Sequence, residues 1–173
     1  AEANDSISAA TGSQSVAAAI DYRGIAANTG NKSVAYAKEH NSAAVTTAEH
    51  STAVVEGLNG IAAATNGVAV ATATNECSAA IATMYEGIAS VKDSTSVAVA
   101  WGYEAAAKGS IGSHLLLADW RYIGEKEEKR YYNIAMLREN WEFAGAKLIK
   151  IDGVEFKEDT YYRIVDGNVE EVK

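Results

Sequence analysis

A nine-residue period governs most of this chain and restricts its fold more than any other feature. From Ser6 the sequence divides into twelve rows of nine without an insertion or deletion. The first position of each row is small, as at Ser6, Ser15, Gly24, Ser33 and Ser42. The second is mostly β-branched, as at Ile7, Val16, Ile25 and Val34, and the third is Ala in every row except the first, which has Ser8. At the sixth position alternate rows carry Thr11, Thr29, Thr47, Thr65 and Thr83, so two rows form one unit of eighteen residues.

This pattern predicts a parallel β-solenoid: a flattened coil with two strands of about five residues and two corners of about four per turn, and successive turns stacked about 4.8 Å apart. The period also fits an Ala-rich helix, because eighteen residues make five helical turns. Composition argues against it. Each row follows its apolar run with Gly, Ser, Asn or Asp, as in Gly57-Leu58-Asn59-Gly60, and these read as corner residues suited to positive φ; inside a helix each Gly costs about 1 kcal/mol. Strand alternation places Ile or Val of position two on one face and Ala of positions three and five on the other. It predicts a smooth Ala-lined face that is either a lateral packing surface or merely exposed; in the first case a homotrimer or other homo-oligomer is expected. The threonines are expected to form a structural hydroxyl column along one edge.

Composition changes near residue 114. The last 60 residues hold 23 charged residues and four Ala, whereas the first 113 hold 15 charged residues. The expected organisation is therefore a solenoid over residues 1–113 and a small antiparallel β-rich domain over 114–173, the fold class being all-β. Strands are expected at His114–Ile123, from Tyr131 through Tyr132, Ile134 and Met136, at Ala146–Ile151 and at Tyr161–Val165. A charged loop is expected at Gly124–Lys129, and Asp152-Gly153 and Asp166-Gly167 signal hairpin turns. Such a domain either caps the last coil, whose edge would otherwise be open, or recognises a partner. The candidate interaction residues are Trp101, Tyr103, Trp120, Tyr131 and Trp141; the plainer reading is that these aromatics build a small core.

Two resemblances follow from particular runs. Ser33-Val34-Ala35-Tyr36-Ala37 and Ser96-Val97-Ala98-Val99-Ala100-Trp101-Gly102 resemble strands in the heads of trimeric autotransporter adhesins, which are left-handed parallel β-rolls. A resemblance covering more of the chain is to β-solenoid proteins of phages, prophages and gut bacteria. It is carried by the junction Ala106-Ala107-Lys108-Gly109-Ser110-Ile111-Gly112, the strand Leu115-Leu116-Leu117-Ala118-Asp119 and the segment from Lys150 to Tyr162. That likeness implies a phage-related setting, virion-associated or in the host cytoplasm, and no particular chemistry.

Site chemistry is sparse. His40, His50 and His114 fall at different row positions without partners at ligand spacing, so no metal site is expected. Asp21, Glu39, Gly57, Asn75 and Asp93 at the seventh position are too varied for a calcium ladder. No nucleophile elbow, phosphate loop or dinucleotide fingerprint occurs, and no catalytic residue or cofactor is expected. The sole cysteine, Cys77, has no intrachain partner, and Ala1–Ser6 lacks the basic and apolar regions of a signal peptide. A net charge of −8 disfavours direct contact with nucleic acid, and no apolar run suits membrane insertion. The leading expectation is a non-enzymatic structural or interaction protein, a tail-fibre or virion accessory spacer with a protein partner. An acidic phage-encoded inhibitor of a host nucleic-acid-binding or defence protein is the alternative, and ice binding through the threonines a weaker one.

Overall fold

The computed structural model describes residues 5–125, 131, 135 and 137–172. The chain is a β-solenoid of about six turns with about eighteen residues per turn, extended at its C-terminal end by antiparallel strands. One sheet takes the odd strands: β1 (Ile7–Ala10), β3 (Ile25–Asn28), β5 (Ala43–Thr46), β7 (Ile61–Ala64), β9 (Ala79–Ala82) and β11 (Val97–Ala100). The other takes the even ones: β2 (Val16–Ala19), β4 (Val34–Ala37), β6 (Thr52–Val55), β8 (Val70–Ala73), β10 (Ile88–Val91) and β12 (Ala106–Lys108). Neighbours are parallel and in register at eighteen residues, as in Ile7 opposite Ile25 and Val16 opposite Val34. The strands occupy row positions two to five, four residues each in β1–β11, and the corners take the remaining five.

The two faces of each strand are the reverse of the sequence expectation. Ala at positions three and five points inward: Ala17, Ala26, Ala35, Ala44, Ala53 and Ala62 are all 0% exposed. The β-branched side chains of position two point outward, with Ile7 and Val16 the most exposed of them at 79% and 66%. A smooth Ala-lined outer face therefore does not exist. A coil that spends only nine residues on each half-turn holds its two sheets close together, and a methyl group is what fits between them. Where a larger side chain enters, the corner gives way: a Cβ on Gly60 would lie 1.9 Å from Cγ1 of buried Val55.

The corners also differ from expectation. Positive φ falls at row position nine, and on residues other than glycine: Gln14, Arg23, Lys32, Asn41, His50, Asn59, Val68, Cys77, Glu86 and Glu104, with φ between 51° and 59°. This conformation turns the N–H along the solenoid axis, where Gln14 donates to Asn31 O, Arg23 to His40 O and Val68 to Tyr85 O in the next coil. The corner glycines serve close approach instead. A Cβ on Gly30, Gly57 or Gly102 would lie 2.0 Å or less from the carbonyl oxygen of Gly12, Glu39 or Met84 in the preceding coil. In the tenth row an Asp93 carboxylate accepts from Thr95 N–H and hydroxyl, and Thr95 Oγ1 accepts the Cys77 N–H in place of a corner carbonyl. These bonds hold the Asp93 carboxyl below its usual pKa.

Row-leading serines tie coils together. Ser33 Oγ accepts from Ser15 N–H and donates to Gly12 O, and Ser51 repeats this with Ser33 N–H and Gly30 O. Ser8, the exception at position three, accepts the Ala18 N–H within the first coil.

After β12 the register tightens by one residue: β13 (His114–Tyr122) is parallel to β11 with His114 opposite Val97. Leu115 and Leu117 take the inward places that Ala98 and Ala100 hold one coil earlier. β14 (Trp141–Lys150) then pairs antiparallel with β13, and β15 (Tyr162–Val165) antiparallel with β12 through Ala107 and Tyr162. β16 (Asn168–Glu171) closes that sheet through a two-residue turn at Asp166-Gly167, φ 49° and 81°, as the sequence indicated. Asp152-Gly153 is not a hairpin turn. It opens a loop that crosses from one sheet to the other, organised by Asp152 Oδ1 accepting the N–H groups of Val154, Glu155 and Phe156.

The strand expected from Tyr131 does not begin there: Tyr131 lies in a bend, and Ala135 donates to Tyr131 O in a helical turn. Tyr132, Ile134, Met136 and residues 126–129 of the expected charged loop lie outside the described residues. No helix among the described residues is long and apolar enough to cross a membrane.

Candidate recognition surface at the C-terminal end

The site begins with the eighteen-residue period. Tyr85 and Tyr103 occupy the eighth position of rows nine and eleven, one coil apart on the same corner, with ring centroids 5.6 Å apart. β13 is nine residues long where coil strands have four, so its second half overhangs this corner. A bulge at Asp119/Trp120, opposite Gly145, sets the direction of the side chains that follow. Trp141 stacks on Tyr103 at 5.1 Å, while Trp120 meets Tyr103 edge-on at 6.1 Å. Tyr122 packs against Trp141, and Phe143 links Trp120 to Trp101.

The indole N–H groups of Trp120 and Trp141 are held. Trp120 Nε1 donates to Trp101 O at 2.7 Å, Trp141 Nε1 to Ala135 O at 2.6 Å, and the Arg138 guanidinium sits 4.3 Å from the Trp120 ring. Burial, reinforced by the carboxylates of Glu104 and Glu86, pushes the Tyr85 phenol far above its ordinary pKa. Four of the five expected interaction residues, Trp101, Tyr103, Trp120 and Trp141, thus come together in one cluster. Tyr103 and Trp141 are buried in it, and Trp101 lies at its margin, 37% exposed. Tyr131 is exposed beside it at 52%.

A cleft of about 360 Å³ opens next to the cluster. Trp120, Tyr122 and Trp141 form its aromatic wall, and Arg121, Arg163, Glu104 and Asp166 supply charge. Behind it Asp119 is buried, with Oδ2 3.5 Å from Arg121 and Oδ1 without a hydrogen-bond partner. The sequence reading missed Tyr85, Tyr122, Phe143 and the two arginines. Tyr85 had a signal, its place eighteen residues before Tyr103; the arginines had none, because their position depends on the overhang of β13 and the β15–β16 turn.

The threonine column lies on the edge that follows the odd strands. The backbone N–H groups of Thr29, Thr47, Thr65 and Thr83 continue the coil ladder, bonding to Ala10, Asn28, Thr46 and Ala64 carbonyls, and Thr65 Oγ1 donates to Thr46 O. Among the described residues no group of three or more His, Cys, Asp or Glu is placed to hold a metal ion. Compared with known proteins, the chain matches no family model, no curated protein and no solved structure.

Proposed function

We propose that this chain is a non-enzymatic structural and interaction protein, in which the solenoid is a rigid spacer and its C-terminal end presents a recognition surface to a protein partner. The observation that supports this most is the contrast between the two ends of one continuous rod. The coils repeat the same backbone bonds with little change, whereas the aromatic cluster, the cleft and its arginines and carboxylates are confined to the last coils and the antiparallel strands. Aromatic walls flanked by arginine are the composition of protein interface anchors, and a wall set on strands rather than on a loop is pre-organised.

The setting in this proposal is that of a phage tail fibre or virion accessory, taken from the resemblance of the rows and junction to phage and prophage solenoids. Immunolabelling of purified parent virions under the electron microscope tests it. Labelled particles are expected, and virions that remain bare while the antibody recognises the purified chain would overturn the virion placement.

A further inference from the structure

The outward side chains of the odd-strand sheet are all apolar from β1 to β11, and from the second to the fifth coil they alternate in size. In the second to fifth coils the projections are Ile25, Val45, Ile61 and Ile81. The depressions between them are Ala27, Ala43, Ala63 and Ala79. Large residues sit at row position two in one coil and at position four in the next, a checkerboard of knobs and holes. The even-strand sheet has no such face. There Tyr36 donates its hydroxyl to Glu56, and Thr52, Thr72 and Ser90 interrupt the apolar columns.

We infer that this face is the interface of a homodimer, closed by a second copy of the same chain. The occupant follows from the pattern. Rotation by 180° about an axis lying in the face and parallel to the solenoid sets position two of one copy against position four of the other. Ile25 then meets Ala27 of the second copy, Val45 meets Ala43, Ile61 meets Ala63 and Ile81 meets Ala79. A two-fold axis along the strands works equally, with Ile25 against Ala79 and Ile61 against Ala43. A face that is complementary to itself under a two-fold closes at two copies. A three-fold ring would instead have to mate this face with a different one, and the mixed surface of the other sheet leaves hydroxyls facing hydrocarbon.

Area is consistent with the same conclusion. The six strands of this face, spaced about 4.8 Å apart with four residues rising about 3.3 Å each, give a plane of about 380 Å² per copy. Two copies cover about 760 Å² in projection, and the roughness of the side chains raises the accessible area above that, toward the roughly 1,000 Å² of a specific interface. Packed face to face the two sheets stand about 10 Å apart, as in a β-sandwich. This interface is independent of the proposed recognition surface, which lies at the end of the rod.

Sedimentation equilibrium of the full chain at tens of micromolar tests the proposal. The expected particle has twice the 18.2 kDa chain mass. Ile61→Glu and Ile81→Glu, each with its β-sheet circular dichroism intact, should halve the particle mass, whereas Val34→Glu on the opposite face should leave it doubled. Ile61→Thr keeps a β-branched residue on the strand and should raise the dimer dissociation constant about tenfold without threatening the coil. A wild-type mass of one or three chains overturns the inference, as does a folded Ile61→Glu protein that remains dimeric.

Discussion

At the scale of the residue, the corners show how a backbone requirement selects side chains. Row position nine must be left-handed so that its N–H reaches the next coil, yet only Asn41, His50 and Asn59 at this position belong to the types that accept φ > 0 more readily. Val68, at φ 52°, is the least suited, being β-branched. Val68→Asn retains the N–H that bonds Tyr85 O and removes the clash, so it is expected to raise stability by about 1 kcal/mol in chemical denaturation. Tyr85 makes a pH-dependent contribution. Its phenol keeps its proton in the folded chain above the pH at which the unfolded chain ionises, so the stability it contributes is full below about pH 10 and is lost as pH rises beyond it. Thermal melting between pH 9 and 11 should therefore show a decline in the wild type that is shallower in Tyr85→Phe, the interval being set by about one unit around the ordinary phenol value.

At the scale of the element, the four-residue strand is the place to ask how much was legible. Its position in each row, its pairing partner eighteen residues away and its parallel sense all follow from the sequence, because small, β-branched and Ala positions recur in phase for twelve rows. Its inside and outside did not follow. Alternation identifies the buried side of a strand only when the other side is polar, and here both sides are apolar or small, so the usual preference of Ile and Val for cores pointed the wrong way. The deciding quantity is the gap between sheets, which nine-residue rows keep too narrow for a branched side chain at most levels. Two substitutions separate the readings. Ala62→Val adds two methyl groups at a site 0% exposed and should cost about 1–3 kcal/mol by overpacking. Val70→Thr, on the outer face of β8, should change stability by no more than about 0.5 kcal/mol. The opposite order in urea melts would restore the sequence reading. The aromatic cluster was legible as composition, while its geometry was not, since Trp120, Trp141 and Phe143 are brought to Tyr103 by an overhang and a bulge that no local pattern announces.

At the scale of the whole molecule, the repeat that stabilises the rod also exposes it to filament growth. Coils in register mean that the edge left by the last coil matches the edge presented by the first, β1 and β2, which has no coil before it among the described residues. A contact of that kind is head-to-tail and does not close, so it propagates. The C-terminal strands prevent it by changing direction: β14 covers β13 antiparallel along nine paired positions, and β15–β16 cover β12 from the other side, so the terminal edges no longer repeat the coil's parallel register. A chain truncated after Tyr122 keeps every coil but loses this reversal. It is expected to form elongated aggregates with a cross-β spacing near 4.8 Å, visible by light scattering and fibre diffraction, under conditions where the full chain stays at a defined mass. Because each coil contacts only its neighbours, the truncated coils retain most of their own ladder, and growth proceeds from folded rods rather than from unfolded chains. A truncated protein that loses its β-sheet circular dichroism before it scatters light would instead show that β14–β16 are needed to fold the coils, and that capping is secondary.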